Sequence, residues 1–169
     1  MTNTDTQTPA PRQSGKRGEY LVVLQFILMA TFVATPVWPE HTEAAFPPGA
    51  TPLRWAVIAV CWSAALLLGG LGSHHIREYL TPLPYPVDHN QLVTTGVYGL
   101  VRHPLYGSQL LAALGWAVFS TSLSHLLLLL VAVIFFSFKA SKEERWLTEK
   151  HPEYADYAKK TRKFIPWIY

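Results

Sequence analysis

Three long stretches without a single Asp, Glu, Lys or Arg constrain this chain more than any other feature. They are Tyr20 to Pro39 (20 residues), Trp55 to Ile76 (22) and Pro104 to Phe138 (35). At a helical rise of about 1.5 Å per residue, each of the first two matches the roughly 30 Å hydrocarbon core of a bilayer and predicts one span. The third, at about 50 Å, is too long for one untilted span and short for two full ones. Its centre, Ser120-Thr121-Ser122-Leu123-Ser124, is a polar break, which predicts a tight hairpin of two shortish helices. The expectation is an all-α integral membrane protein of four transmembrane helices. Composition agrees, since 50% of the residues are apolar and only 15% charged, a balance that a soluble domain of this size struggles to keep in solution.

Orientation follows from the loop cations, because Lys and Arg are retained on the cytoplasmic side. With four spans, both termini and the middle loop share one side. That side holds Arg12, Lys16, Arg17, Arg77, Arg102 and the eight basic residues from Lys139 onward, 13 of the 14. Only Arg54 is left opposite, beside Glu40, Glu43 and a proline-rich connector. Both termini are therefore expected in the cytoplasm, with the protein in the inner (plasma) membrane if bacterial. The first apolar run is too long for a cleaved signal peptide and has no clear small-residue cleavage site, so it reads as an anchor.

Residues 1–18, rich in Thr, Gln, Pro and Ser, read as a disordered cytoplasmic tail. Residues 19–74 hold the first two helices, and residues 75–169 a core of loop, hairpin and C-terminal segment. The single cysteine, Cys61, excludes an internal disulfide or a cysteine-based zinc cluster. A net charge of +3 suggests nucleic acid at first sight, but the cations flank membrane segments, where anionic headgroups account for them; no nucleic-acid partner is expected. Gly69-Gly70-Leu71-Gly72 follows no strand and lacks the third glycine of a dinucleotide fingerprint. With Ala65 it reads instead as small-residue helix packing. His74, His75, His89 and His103 have no spacing that suits a metal, and no metal site is expected.

Two cytoplasmic segments remain. In the first, Pro82, Pro84 and Pro86 disfavour a helix, and the following residues run as an ordered loop into Arg102-His103-Pro104. Here a guanidinium and an imidazole meet the free amides of a helix N-terminus, a setting that suits an anion. The second continues the fourth helix as Lys139-Ala140-Ser141-Lys142-Glu143-Glu144. Helical spacing puts Lys139 and Glu143 on one face and turns Glu144 about 100° away. Beyond Pro152, Tyr154, Tyr157, Thr161 and Phe164 recur among Lys159, Lys160, Arg162 and Lys163. That pattern predicts an amphipathic stretch lying on the membrane surface, with 164–169 as an aromatic anchor.

The ordered set Leu92-Val93-Thr94-Thr95-Gly96-Val97-Tyr98, Val101-Arg102-His103-Pro104-Leu105-Tyr106, a helical hairpin, Glu143-Glu144, and Tyr154 with Tyr157 before Pro166 resembles the isoprenylcysteine carboxyl methyltransferase family, to which membrane phospholipid methyltransferases are related. The resemblance covers roughly residues 75 to 169. It implies a cytosol-facing pocket for S-adenosylmethionine. Carried over, the cofactor contacts fall on Asn90, Gln91, Leu92, Val93, Tyr98, His103, Pro104, Leu105, Tyr106 and Glu143. Asn90 stands where the family can have His. Lys139 aligns with the family's substrate-contacting arginine, and a lysine cannot repeat a bidentate grip on a carboxylate.

The chemistry of the segment fits that implication, since a zwitterionic, aromatic cofactor needs cation, anion and apolar partners together. Methyl transfer from a positive sulfur needs alignment and exclusion of water more than a base. The expected acceptor is a lipophilic small molecule or a lipid-linked group, membrane lipid included, with carboxylate O-methylation favoured. Arg102 or Lys139 would orient a carboxylate. For an amine or a thiol, His103 or Glu144 would be the base. Ser108, Ala112 and Gly115 leave one face of the third helix small, either to open the pocket to the bilayer or to pack a neighbour. A membrane subunit with a cytoplasmic docking surface and no activity of its own is the alternative reading.

Overall fold

The computed structural model describes residues 18–38, 49–77, 91–166 and 169. The tail before Gly18, the connector with Glu40 and Glu43, the three-proline stretch with His89 and Asn90, and Trp167 with Ile168 lie outside the described residues. Among the described residues the elements are α1 (Glu19–Ala34), α2 (Thr51–His75), a 3-10 turn (Gly96–Gly99), α3 (Pro104–Phe119), α4 (Leu123–Lys150) and α5 (Tyr154–Lys160).

Proline and glycine set most of the boundaries. The apolar run from Tyr20 extends to Pro39, but α1 stops at Ala34, because Thr35 precedes Pro36 and adopts an extended ψ of 129°. α2 starts earlier than its apolar run, with Pro52 in its first turn, where a missing N–H costs nothing. The polar break of the third run becomes the turn between α3 and α4, with Thr121 left-handed at φ 49°. Ser122 caps α4 by accepting from the backbone N–H of His125.

Among the described residues two helices, α2 (25 residues) and α4 (28 residues), are long and apolar enough to cross a membrane. Only 11% and 28% of their apolar windows are buried, so these helices present their apolar surface outward, unlike the core helix of a soluble protein. Leu66, Leu67, Leu127, Leu130 and Ile134 are all more than half exposed. α1 and α3 have 16 residues each, about 24 Å of helix.

The expected tight pairing of the last two helices is modified by the glycines of α2. α3 joins α4 through a short turn, yet its closest approach is to α2. A Cβ on Gly72 would stand 3.0 Å from Pro104, one on Gly69 3.2 Å from Ser108, and one on Gly115 2.8 Å from Cys61. The Trp62 indole donates to the Ala112 carbonyl at 3.2 Å. The small face of α3 is thus occupied by α2 and is no opening to the bilayer.

The C-terminal segment also departs from expectation. It does not lie free on a membrane surface but docks on the loop before α3. Arg102 N donates to Arg162 O at 2.8 Å, His103 N to Lys163 O at 3.0 Å and Arg162 N to Leu100 O at 3.3 Å, a short parallel bridge. Tyr154 and Phe164, expected in an exposed apolar stripe, are each 3% exposed. Phe164 joins Ala132, Phe136 and Ala140 in the core, and is no surface anchor. Lys159, Lys160 and Arg162 stay exposed along an open cleft.

Candidate active site

The site forms where α3 begins. Pro104 keeps His103 out of the helical region, at φ −126° and ψ 64°, and the imidazole makes no capping hydrogen bond. The ring is free to reach α4. His103 and Lys139 lie eighteen residues on either side of Thr121, so an antiparallel pair of helices brings the start of α3 level with the segment from Lys139 to Glu144.

His103 stands between two carboxylates. Nδ1 is 3.5 Å from Glu143 Oε2, and Nε2 is 3.1 Å from Glu144 Oε1. The two glutamates, turned apart on the helix, grip one ring from opposite edges. Burial by itself would lower the His103 pKa, but hydrogen bonds to Glu143 and Glu144, and their charges, raise it above the ordinary value. With both nitrogens facing carboxylates, the imidazolium is the form that satisfies the geometry.

Aromatic rings complete the wall. Tyr106 stacks on His103 with centroids 5.5 Å apart and on Phe136 at 4.9 Å. Its hydroxyl donates to Glu143 Oε1. Lys139 Nζ lies 4.9 Å from the centroid of the Tyr106 ring. Expected in the cytosol, Lys139 is instead 1% exposed, because α4 continues unbroken into a bundle whose other members close around it.

Arg102, expected to meet an acceptor or the cofactor, is engaged with the protein itself. Nε donates to Glu144 Oε1 at 2.8 Å, and Nη1 to the carbonyls of Ala158 at 2.9 Å and Thr161 at 2.5 Å. The guanidinium fork binds the C-terminus of α5 and one carboxylate together. Lys163 stands 3.6 Å from the other oxygen of Glu144.

The remaining predicted contacts are dispersed around this cluster. Gln91 is exposed, and Val93 packs with Val97, Tyr98 and Val101 against Leu68 and Ile76. The Tyr98 hydroxyl donates to Gly72 O at 3.4 Å, while the Tyr98 carbonyl accepts from Tyr157 at 2.7 Å. Burial, then the neighbouring Tyr157 and Glu143, raises the Tyr98 pKa far above its usual range. Pro104 and Leu105 face Gly72 of α2. His74 and His75 stand edge to face 6.0 Å apart. Among the described residues, no three His, Cys, Asp or Glu side chains gather as metal ligands.

Four residues escaped the sequence reading. By spacing alone Lys163 is one of several interleaved surface cations, yet it stands beside Glu144. Tyr154 is a surface aromatic by its spacing, yet its buried hydroxyl has no hydrogen-bond partner and senses the charges of Glu144 and Arg102. Gln25 and Gln109 join α1 to α3 through a 3.1 Å hydrogen bond. An amide inside an uncharged apolar run was the available signal for both.

These residues sit in or beside a recognisable segment. The profile of the phospholipid methyltransferase family matches residues 75–154. This segment, just under half of the chain, is similar to the phospholipid methyltransferase family. The match includes the loop, the hairpin and every charged member of the cluster except Lys163.

Several named proteins are similar to this chain. A cobalt-zinc-cadmium resistance protein of Cupriavidus metallidurans is 40% identical over 78 residues, 46% of this chain and 36% of the relative. A nickel-cobalt-cadmium resistance protein of Alcaligenes xylosoxydans xylosoxydans is 24% identical over 152 residues, 88% of this chain and 63% of the relative. A probable protein-S-isoprenylcysteine O-methyltransferase of rice (Oryza sativa subsp. japonica) is 28% identical over 152 residues, 89% of this chain and 77% of the relative. The chain thus spans 36% and 63% of the lengths of the first two relatives.

Proposed function

We propose that this protein is an integral-membrane, S-adenosylmethionine-dependent methyltransferase acting on a lipophilic acceptor, with carboxylate O-methylation favoured. The observation that carries the reading is the cluster itself: the family-matched segment gathers His103, Glu143, Glu144, Tyr106 and Lys139 at the start of α3. The topology proposed with it is four membrane-crossing helices, with both termini and the loop before α3 in the cytoplasm.

The residues present fit the cofactor. Glu143 suits an ammonium or ribose hydroxyls, the stacked rings of His103, Tyr106 and Phe136 provide an aromatic wall, and the orphaned Tyr154 hydroxyl is a buried polar group in want of a partner. S-adenosylmethionine, when bound, supplies a methyl group on a positively charged sulfur. Asn90, Gln91, Leu92, Val93, Tyr98, Pro104 and Leu105 are proposed as the remaining contacts on the strength of the family resemblance.

The protein's own part is to align and to exclude water. Arg102 pins the C-terminal segment over the loop through Ala158 and Thr161, so it acts as a closing clamp and Lys139 is left as the acceptor-orienting cation. His103 faces carboxylates at both ring nitrogens, an arrangement that favours its protonated form over a base, and Glu144 is committed to His103 and Arg102. An amine or thiol acceptor, which must first lose a proton, is therefore poorly served. A carboxylate is already ionised and needs only the Lys139 ammonium.

The test is calorimetric titration of S-adenosylmethionine into the detergent-purified chain and its Glu143→Ala variant, followed by labelled-methyl transfer to an N-acetyl-S-isoprenylcysteine. Saturable binding abolished by the substitution, with a base-labile methyl ester as product, is the expected result. Absence of binding by folded wild type would reject the enzyme reading in favour of a docking subunit.

A further inference from the structure

Lys139 poses a physical problem that the family-matched segment does not solve. Its ammonium is buried in the bundle and, among the described residues, makes no ion pair. A buried cation without a counter-charge is costly, and a lysine stem ordinarily snorkels its charge to water. Glu143, one turn further along α4, acts on Lys139 by its charge but is not in contact with it, because it accepts from Tyr106 and faces His103.

What holds Lys139 comes from α1. Its Nζ donates to Gln25 Oε1 at 2.6 Å. Gln25 Nε2 in turn donates to Gln109 Oε1 at 3.1 Å, and Gln109 Nε2 donates to the Leu105 carbonyl at 3.1 Å. Each link fixes the next: the Leu105 carbonyl orients Gln109, Gln109 orients Gln25, and Gln25 turns its carbonyl toward the ammonium. A flipped Gln25 would set its NH2 against a cation. The chain is neutral throughout, so it positions the charge without cancelling it. One N–H of Lys139 is taken by Gln25 and one face of the ammonium by the Tyr106 ring, which leaves donor capacity for an anion.

We propose that Gln25, backed by Gln109, is a positioning residue that holds the Lys139 ammonium for the anionic headgroup of a lipophilic acceptor, so that α1 completes an acceptor site otherwise built from α3 and α4. The inference rests on the carboxylate reading above. It assigns a function to a helix that the family match does not reach.

The experiment uses the full chain in detergent, with Gln25→Glu, Gln25→Leu and Gln109→Leu variants. Each is assayed for KM and kcat with an N-acetyl-S-isoprenylcysteine and for S-adenosylmethionine affinity. Direct binding of the same carboxylate probe and of its neutral methyl ester is measured beside these. Gln25→Glu sets a carboxylate against Lys139 and should raise KM roughly tenfold or more and abolish the preference for carboxylate over ester, with kcat and cofactor affinity within about twofold. Gln25→Leu should raise KM without supplying a counter-charge. Gln109→Leu, which frees the Gln25 amide without touching Lys139, should have the smaller effect. A purely structural role would instead lower thermal stability and leave the preference intact. Unchanged KM and unchanged preference in the folded Gln25 variants would overturn the proposal. Loss of cofactor binding and turnover in the wild type would sink the enzyme reading alone, because the carboxylate-to-ester preference still scores Gln25.

Discussion

At the scale of single residues, His103 concentrates the electrostatics of the site. Its pKa is raised because two carboxylates outweigh the cost of burial. The sign follows from linkage: the protonated form is stabilised in the folded state, so the contribution is fully present below the unfolded value of about 6.5 and is lost as pH rises through the raised folded value. The melting temperature in detergent should therefore fall as pH climbs from about 6.5 into the alkaline range. His103→Gln should flatten that dependence, and a slope shared by the two proteins would remove His103 as its source. Residue types at this place were legible from Arg102-His103-Pro104 and Glu143-Glu144. Their roles were not: a sequence shows a free guanidinium, whereas the folded chain engages Arg102 with Glu144, Ala158 and Thr161.

At the scale of elements, glycines decide which helices touch. The C-terminal segment crosses α3 where a Cβ on Gly107 would stand 2.9 Å from the Phe164 carbonyl oxygen. That atom is backbone, in a segment tied to the loop before α3 through Arg162 and Lys163, so the neighbour has little freedom to give. Gly107→Ala is expected to destabilise by about 1–3 kcal/mol, as overpacking does. It should also expose the 161–166 segment to protease, and wild-type melting with wild-type protease resistance would show the contact to be loose. The apolar stretch of α2 and the break at Ser120–Ser122 could be read from hydropathy, whereas α4 is no short helix but runs 28 residues, because its charged continuation to Lys150 stays helical beyond the uncharged run. The early end of α1 followed from Pro36, which a count of uncharged residues ignores. Hydropathy also does not say that α3 packs closest to α2, because apolar surface is equally at home against lipid or against another helix.

At the scale of the whole molecule, the site lies at one end of the bundle, and the proposed topology puts that end in the cytoplasm. Cysteines introduced singly into a Cys61→Ser background test it. With Thr148→Cys at the end of α4 and Thr51→Cys at the start of α2, a membrane-impermeant thiol reagent applied to right-side-out vesicles should label position 51. It should reach position 148 only after permeabilisation; labelling of both positions from one side would refute the topology. Uncharged runs and the lysine and arginine count by themselves determined the helical class and predicted the sidedness, because removing peptide and charge from water is costly enough to be read locally. The ordered motifs likewise carried the resemblance to membrane methyltransferases. Which charges meet, and that Lys139 is held by an amide with no ion pair among the described residues, was decided only by tertiary structure. Glu143 and Glu144 share His103, Arg102 clamps the C-terminal segment, and Gln25 reaches Lys139 across 114 residues of sequence. Such pairings depend on helix register and on close approach at glycine, quantities that one-dimensional spacing does not contain.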